Sequence, residues 1–322
     1  MEHLAGKRNL WYSISALLLV PCIAALLIWG LNFGIDFTGG SAWEVQFDQD
    51  VNTEEIARVM TENGRAEATV QQVGDANEHR YLIRIRELQE GSAEKAELTT
   101  ALGSLGTLNP DGEALDTVGA SVGESIRNRS VLAVLAASVG ILLYIAYAFR
   151  NTQNPLLYGL CAIVAMLHDA IFVLGVFAIL GEFFDVEVDA LFITALLTVI
   201  GFSVHDTIVV FDRIRENLQI KAGESFEDIV NYSIGQTIVR SLNTSVTVVI
   251  TLLALLLFGG STTREFVLAL LIGVVAGTYS SIFNASQLLV SWNNGEIQRL
   301  FSRITRLGRN SNHNPATNDA QV

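Results

Sequence analysis

Asp169 and Asp206 lie inside apolar stretches of helical length, and Arg240 opens the next such stretch. An aspartate at the centre of a membrane-spanning helix is disfavoured by roughly 2.5–3.5 kcal/mol on the insertion scale, so each position demands a partner or a function. Asp206, in "GFSVHDTIVVFDR", falls about four residues, or roughly 6 Å, before the end of its run. Arg240 lies at a comparable depth on the following helix, so the two opposite charges can approach and lower each other's burial cost. A carboxylate whose proton affinity depends on the nearness of an arginine loads or releases one proton when the two move apart or together. Carrying that charge through the membrane potential is worth about 2.3 kcal/mol per 100 mV, enough to bias a conformational change. The plain alternative is a static ion pair that fixes helix register.

Polar residues surround these charges at helical spacing. Arg240, Asn243, Thr244, Thr247 and Thr251 recur three, four and seven apart on one face, and Ser203, Asp206 and Thr207 form a shorter row with His205 pointing elsewhere. Facing each other, the two rows form a polar lining that leads to Asp206. "MLHDA" puts His168 and Asp169 deeper, which makes Asp169 a second relay candidate; His168 is read first as a hydrogen-bond partner of a neighbouring helix.

The elements that must hold these residues are membrane spans. Half of the 322 residues are hydrophobic, and the apolar runs predict six spans, at about Trp11–Phe33, Ser130–Ala148, Leu156–Leu180, Leu191–Val210, Ile238–Phe258 and Phe266–Leu289. Lys7, Arg8, Arg150, Arg213, Arg215, Lys221 and Arg299 fall on one side and only Arg264 in the short loops opposite, which predicts both termini cytoplasmic. The net charge of −13 resides mainly in the large loop and gives no reason to expect nucleic acid as a partner. Cys22 and Cys161 lie inside spans and read as packing residues, with no metal-ligand spacing. Gly273, Gly277 and Ser281 make a small-residue face on the sixth span, a packing signal.

Four regions follow: residues 1–33 with the first span, a polar unit over 34–128, the remaining five spans over 129–290, and a basic amphipathic segment with a disordered tail over 291–322. In the polar unit "AWEVQFD", "ATVQQV", "RYLIRIR" and "ALDTV" read as strands, with helices from Thr53 to Gly64 and from Ser92 onward. The order β-α-β-β-α-β predicts a ferredoxin-like α+β domain. It carries no catalytic constellation and no phosphate-binding glycine loop, so no enzyme activity or cofactor is expected. The stretch 216–237 reads as an amphipathic segment along the cytoplasmic interface, and the arginines after residue 296 read as an anionic-lipid contact.

"GIDFTGG" after the first span, "VIGFSVHDTIVVFDRIREN" through the fourth and "SIGQTIVRSLNTS" entering the fifth resemble the SecD/SecF family of bacterial protein-export proteins, on its SecF side, within the RND superfamily. The resemblance runs from about Leu10 to Leu300. It implies a six-span RND-type half in the inner membrane, a SecD partner, work beside the SecYEG channel with YajC and YidC, and contact with preprotein and membrane lipids. It implies use of the proton-motive force in late steps of export, with Asp206 as proton carrier and Arg240 as its partner. His205 stands where many relatives carry asparagine. Asp36, with Gly39 and Gly40, reads as a cap and hinge where the first span leaves the membrane. Three rivals remain at this stage: an intramembrane aspartyl protease using Asp169 and Asp206, which lacks the G-x-G-D motif; a stand-alone RND-type small-solute exporter; and a structural scaffold of the translocon.

Overall fold

The structure, a computed structural model, describes residues 5–299 except 75, 153, 222, 261, 262 and 297. The expected lipid-contact segment from Leu300 onward and the polar tail lie outside the described residues. Helix α1 (Arg8–Ile28) leads through a short helix α2 (Ile35–Thr38) into an α+β unit: β1 (Gly40–Gln46), α3 (Thr53–Glu62), β2 (Thr69–Val73), β3 (Arg80–Ile85), α4 (Ala93–Leu102) and β4 (Ala114–Val118). The remaining helices are α5 (Ala120–Ala148), α6 (Pro155–Phe184), α7 (Ala190–Ile220), α8 (Phe226–Phe258) and α9 (Arg264–Ser280), the last continuing through one π-helical turn (Ser281–Ala285) into α10 (Ser286–Asn293). Six of these rods, counting α9 to α10 as one, are long and apolar enough to cross a membrane.

The sheet runs β2-β3-β1-β4 with every neighbour antiparallel, the ferredoxin-like order expected from the sequence. Alternation explains it. Trp43, Val45 and Phe47 from β1 and its end, with Tyr81, Ile83 and Ile85 from β3, are buried under Ile56 and Met60 of α3 and Leu98 and Leu102 of α4. The cap of α3 is one residue earlier than expected: Asn52, not Thr53, accepts the hydrogen bond from the Glu54 amide, because the Asn52 backbone has the extended conformation of an N-cap, at φ −69°, ψ 130°, while Thr53 is already helical. Ser92 caps α4 as expected.

Among the spans, α6, α7 and the α9–α10 rod bury about half of their apolar windows, whereas α1, α5 and α8 bury 6–17% and form the periphery. The centre is tight where side chains are small. A Cβ on Gly273 would stand 2.1 Å from Val199 of α7, and one on Gly175 of α6 would stand 2.2 Å from the Cβ of Cys22 on α1. Gly273 thus does the packing work read from the small-residue face.

Two stretches differ from the sequence reading. The interfacial segment is not a separate element: Ser225 caps α8, and Ile229, Val230 and Ile234 are buried in its first turns, continuous with the fifth span. The same apolar face that suits an interface suits packing on α7 and α10, and an unbroken backbone ladder favours one long helix. At the other end α5 begins at Ala120, ten residues ahead of its apolar run.

The α+β unit is joined to the helices at one junction. Residues before and after the first loop pair with those before α7: the Val188 amide donates to the Asn32 carbonyl at 2.8 Å and the Gly34 amide to the Val188 carbonyl at 3.0 Å. Arg84 of β3 makes an ion pair with Glu187. Gly39 and Gly40, at φ +72° and +120°, turn the chain between α2 and β1 against Ala120 and Ile85.

Candidate functional site

Asp206 sits on the inner side of α7 and is 3% exposed. Among the described residues it has no hydrogen-bond or ion-pair partner, and its Oδ2 is fully enclosed. His205 and Arg240 are the charged or titratable side chains that act on it electrostatically. Arg240 itself is exposed, on the outer side of α8, in a groove of about 300 Å³ with Asp212, Arg213, Glu216 and Gln236. The structure therefore brings the two near each other without an ion pair within 4 Å. A buried carboxyl left without a partner is rare in a folded protein and marks a strained or working site.

The expected common lining is split. Ser203 and Thr207 are inside the bundle, 0% and 1% exposed, whereas Asn243, Thr244, Thr247 and Thr251 lie on the outside of this chain. Helix α8 carries two polar rows, and the one that packs inward is Ser233, Thr237, Ser241 and Ser245, four residues apart. Both rows have helical spacing, so the sequence did not distinguish them. On α7 the outward row is Thr194, Thr198, Gly201 and His205, so an exposed polar face spans two adjacent helices. The threonines of this face donate to carbonyls of their own helices, as Thr198 does to Thr194 and Thr244 to Arg240.

Asp169 is the opposite case: wholly buried and fully partnered. Ser203 of α7 and Ser280 of α9 both donate to its Oδ2, at 2.5 and 2.6 Å, and His168 Nδ1 lies 3.0 Å from its Oδ1. Thr207 donates to Ser281, and Ser281 to the Ser203 carbonyl. Gly277 permits this convergence: its missing Cβ would stand 3.0 Å from Ser203 and 3.6 Å from the Asp169 Oδ2. The sequence reading missed Ser280, Ser241 and Gln287. The signal was present in "TYSSIFNASQ", whose Thr278, Ser280, Ser281, Asn284, Ser286 and Gln287 are all buried. So many polar residues in one span have to face protein. Gln287, 0% exposed, leaves both amide atoms without a partner among the described residues. No hydrogen bond joins Asp169 to Asp206 among the described residues.

Asp36 caps a helix other than its own: its Oδ2 accepts the amide of Ala190, the first residue of α7, at 2.9 Å. Asp189 caps the same helix through the Phe192 amide at 2.7 Å. Burial pushes the Asp189 carboxyl above its ordinary value, the amide of Phe192 opposes that, and the neighbouring charge of Asp36 adds to it.

Known proteins share the sequence pattern and the fold of this chain. The family model "Protein export membrane protein SecD/SecF, C-terminal" covers residues 98–295, and the "SecD/SecF GG Motif" covers residues 25–51, which include Asp36, Gly39 and Gly40. The chain is 54% identical over 310 residues to the protein translocase subunit SecF of Thermobaculum terrenum, covering 94% of this chain and 98% of that one. It is 41% identical to the SecF of Anaerolinea thermophila, with the same coverage. The protein translocase subunit SecDF of Thermus thermophilus is 37% identical, over 88% of this chain and 38% of its own length. The crystal structure of the SecDF from Thermus thermophilus, described as a translocon-associated membrane protein, superposes with a TM-score of 0.78 at 35% identity, covering 90% of this chain and 38% of that one. This chain thus spans about two fifths of the SecDF chains it matches.

Proposed function

Because the chain belongs to the SecD/SecF family of protein-export membrane proteins, we propose that it is an auxiliary subunit of the Sec translocase which, with a SecD partner, uses the proton-motive force in late steps of preprotein export across the bacterial inner membrane. The observation that carries the proton-driven part is Asp206, a buried carboxyl with no partner among the described residues, one turn from an enclosed hydroxyl network and close to a cation that faces outward. A proton on Asp206 neutralises it. Loss of that proton leaves a charge whose cheapest solution is approach to Arg240 or to water, so each protonation state favours a different spacing of α7 and α8.

The outward polar face supports the partnership. Arg240, Asn243, Thr244, Thr247, Thr198 and His205 cannot face lipid without cost, so a second six-span half is the cover that this face requires. The SecDF relatives, in which a unit like this one is joined to a longer chain, support a SecD-type half in that place over the stand-alone exporter. On this reading both termini are cytoplasmic, the α+β unit is periplasmic, and SecYEG, YajC, YidC and the preprotein are the wider set of partners.

The test is preprotein translocation into inverted inner-membrane vesicles containing this chain and its SecD partner, comparing wild type with Asp206→Asn at equal abundance, with and without an uncoupler. Loss of the uncoupler-sensitive fraction, with the complex intact, is the expected result. Unchanged export with unchanged uncoupler sensitivity overturns the assignment and leaves Asp206 as a structural residue.

A further inference from the structure

The end of the bundle away from the α+β unit holds a groove of about 280 Å³ that the site around Asp206 does not use. It lies between the first turn of α6, the last turns of α7 and α10 and the first residue of α8. Tyr158 and Arg215 line it, with the exposed amides of Asn151, Asn154, Gln219 and Asn293 at its rim. In a chain of net charge −13, no aspartate or glutamate lines this groove among the described residues. Four helix termini meet here, two N-terminal and two C-terminal, so their dipoles largely cancel and the arginine sets the sign of the field.

Tyr158 is the residue that asks for a ligand. It is 4% exposed, its ring lies flat against Phe149 with centres 5.0 Å apart and edge-on to Phe211 at 5.3 Å, and its hydroxyl makes no hydrogen bond among the described residues. A buried tyrosine hydroxyl normally has a partner. Unlike the Asp206 Oδ2, this hydroxyl is not sealed in the core; it opens on the groove. Arg215 acts on it electrostatically and is itself held in place. Its guanidinium lies 5.6 Å from the centre of the Phe149 ring, donates to the Ala148 carbonyl at 3.3 Å and pairs with Asp212 at 2.5 Å, on the side away from the groove lining. Those contacts leave the other donors of the fork free. Of the two helices that start here, α8 is capped by Ser225, whereas Asn154 gives α6 no side-chain cap. Arg150, next to Asn151, is exposed over the Tyr147 ring and has no acidic partner among the described residues.

We propose that this groove binds the headgroup phosphate of an anionic phospholipid, with Arg215 as its charge partner and the Tyr158 hydroxyl as a second donor. Arginine suits the role because its planar fork matches two phosphate oxygens, and a hydrogen bond to a charged acceptor is among the strong ones. The other half of the lining selects a lipid over a free phosphate. Leu157, Leu218, Phe226 and Leu289 are apolar, so a free phosphate leaves them wet, whereas the glycerol and first methylenes of a lipid cover them. Leu156 and Leu160, exposed on α6, continue from the groove into the apolar run of that helix, where acyl chains lie. None of the groove's lining residues belongs to the groove around Arg240, so the site is independent of the proton-driven reading.

The test is made on the full chain with its SecD partner, stripped of lipid in detergent and titrated with dioleoylphosphatidylglycerol while native mass spectrometry counts the lipids retained. Wild type is expected to hold one lipid more tightly than the rest, and Tyr158→Phe and Arg215→Gln each to weaken that one about tenfold. Arg129→Gln, which removes an exposed arginine at the other end of α5, is expected to leave it unchanged. Tyr158→Phe removes the hydroxyl and keeps both ring contacts, so the test does not hang on the folding of Arg215→Gln. Equal retention by wild type and Tyr158→Phe, in complexes that melt alike, overturns the proposal. The same titration with inorganic phosphate separates the two sources: a loss of binding in Tyr158→Phe that appears with inorganic phosphate and not with the lipid overturns the lipid assignment in favour of a soluble anion.

Discussion

Replacing Gly39 by alanine separates the two demands that the turn between α2 and β1 makes on its residues. Gly39 has φ +72° and ψ 166°, a region that is essentially glycine-only and costs other residues about 1–3 kcal/mol. A Cβ there would also stand 2.8 Å from the Cα and 3.1 Å from the nitrogen of Ala120. Those are backbone atoms at the start of α5, so no rotamer change relieves the contact. The helix must retreat, and overpacking of this kind adds about 1–3 kcal/mol. The combined expectation for Gly39→Ala is a loss of about 2–6 kcal/mol. Gly64→Ala is the control, because Gly64 has φ +81° with nothing within 4 Å of the added methyl, which leaves only the left-handed penalty of about 1–2 kcal/mol. Chemical unfolding of both variants in detergent micelles gives the comparison, with tryptophan fluorescence as the signal. If Gly39→Ala costs no more than Gly64→Ala, the close approach of α5 to the turn is not what the glycine is for.

The junction and its charges give two further expectations. Glu187→Gln and Arg84→Ala should each cost about 1–3 kcal/mol by leaving a half-buried partner unpaired, and should speed hydrogen exchange at Val186–Val188 while exchange within the β1–β3 ladder stays slow; equal acceleration in both places would show that the pair stabilises the α+β unit itself rather than its attachment. The raised Asp189 carboxyl means that the folded state holds this proton more tightly than the unfolded chain does. Its contribution is therefore complete below the ordinary value of 3.8 and is lost as pH rises above it through the folded value; Asp189→Asn should remove that loss, so that the difference in melting temperature between variant and wild type changes as pH rises above 3.8, and parallel curves would refute it.

Much of the fold was legible because period and composition agreed. The strands and helices of the α+β unit followed from alternation and from caps such as Ser92, and the six spans from apolar runs of sufficient length. The second to sixth spans were shorter in the sequence than in the structure, because polar first turns such as Phe226–Thr237 are helical by continuity and not by hydropathy, whereas the first, expected to run to Phe33, ends as a helix at Ile28. The individual charges of the site were legible for a simple reason: an aspartate in an apolar run has no other explanation than a partner or a task. Their mutual placement was not. Arg240 and Ser241 are neighbours in sequence and face opposite ways, one exposed and one 1% exposed, and either polar row of α8 could have been the inner one. Asp36 shows the same limit. Its motif was visible as a turn, but the helix it caps begins more than 150 residues later, at Ala190.

That long-range cap gives the motif a mechanical meaning. Helix α7 carries the Asp36 and Asp189 caps at its first turn, Ser203, Asp206 and Thr207 at its middle, and Arg213 near its far end, all on one rod of 31 residues. Asp206 is about 24 Å along that rod from Ala190. The cap thus ties the turn at Gly39 and Gly40 to the same rod that carries the carboxyl. The resistance lies at α9, where Gly273 and Gly277 press against Val199 and Ser203. The π turn follows immediately, at Ser281–Ala285, and its wider ladder is the part of that wall with room to change its hydrogen bonds. Ser280 and Ser281 sit at the edge of this turn, one bound to Asp169 and the other to α7. A shift of α7 therefore reaches Asp206, which it carries, and Asp169, which Ser203 of the same inner row holds, together.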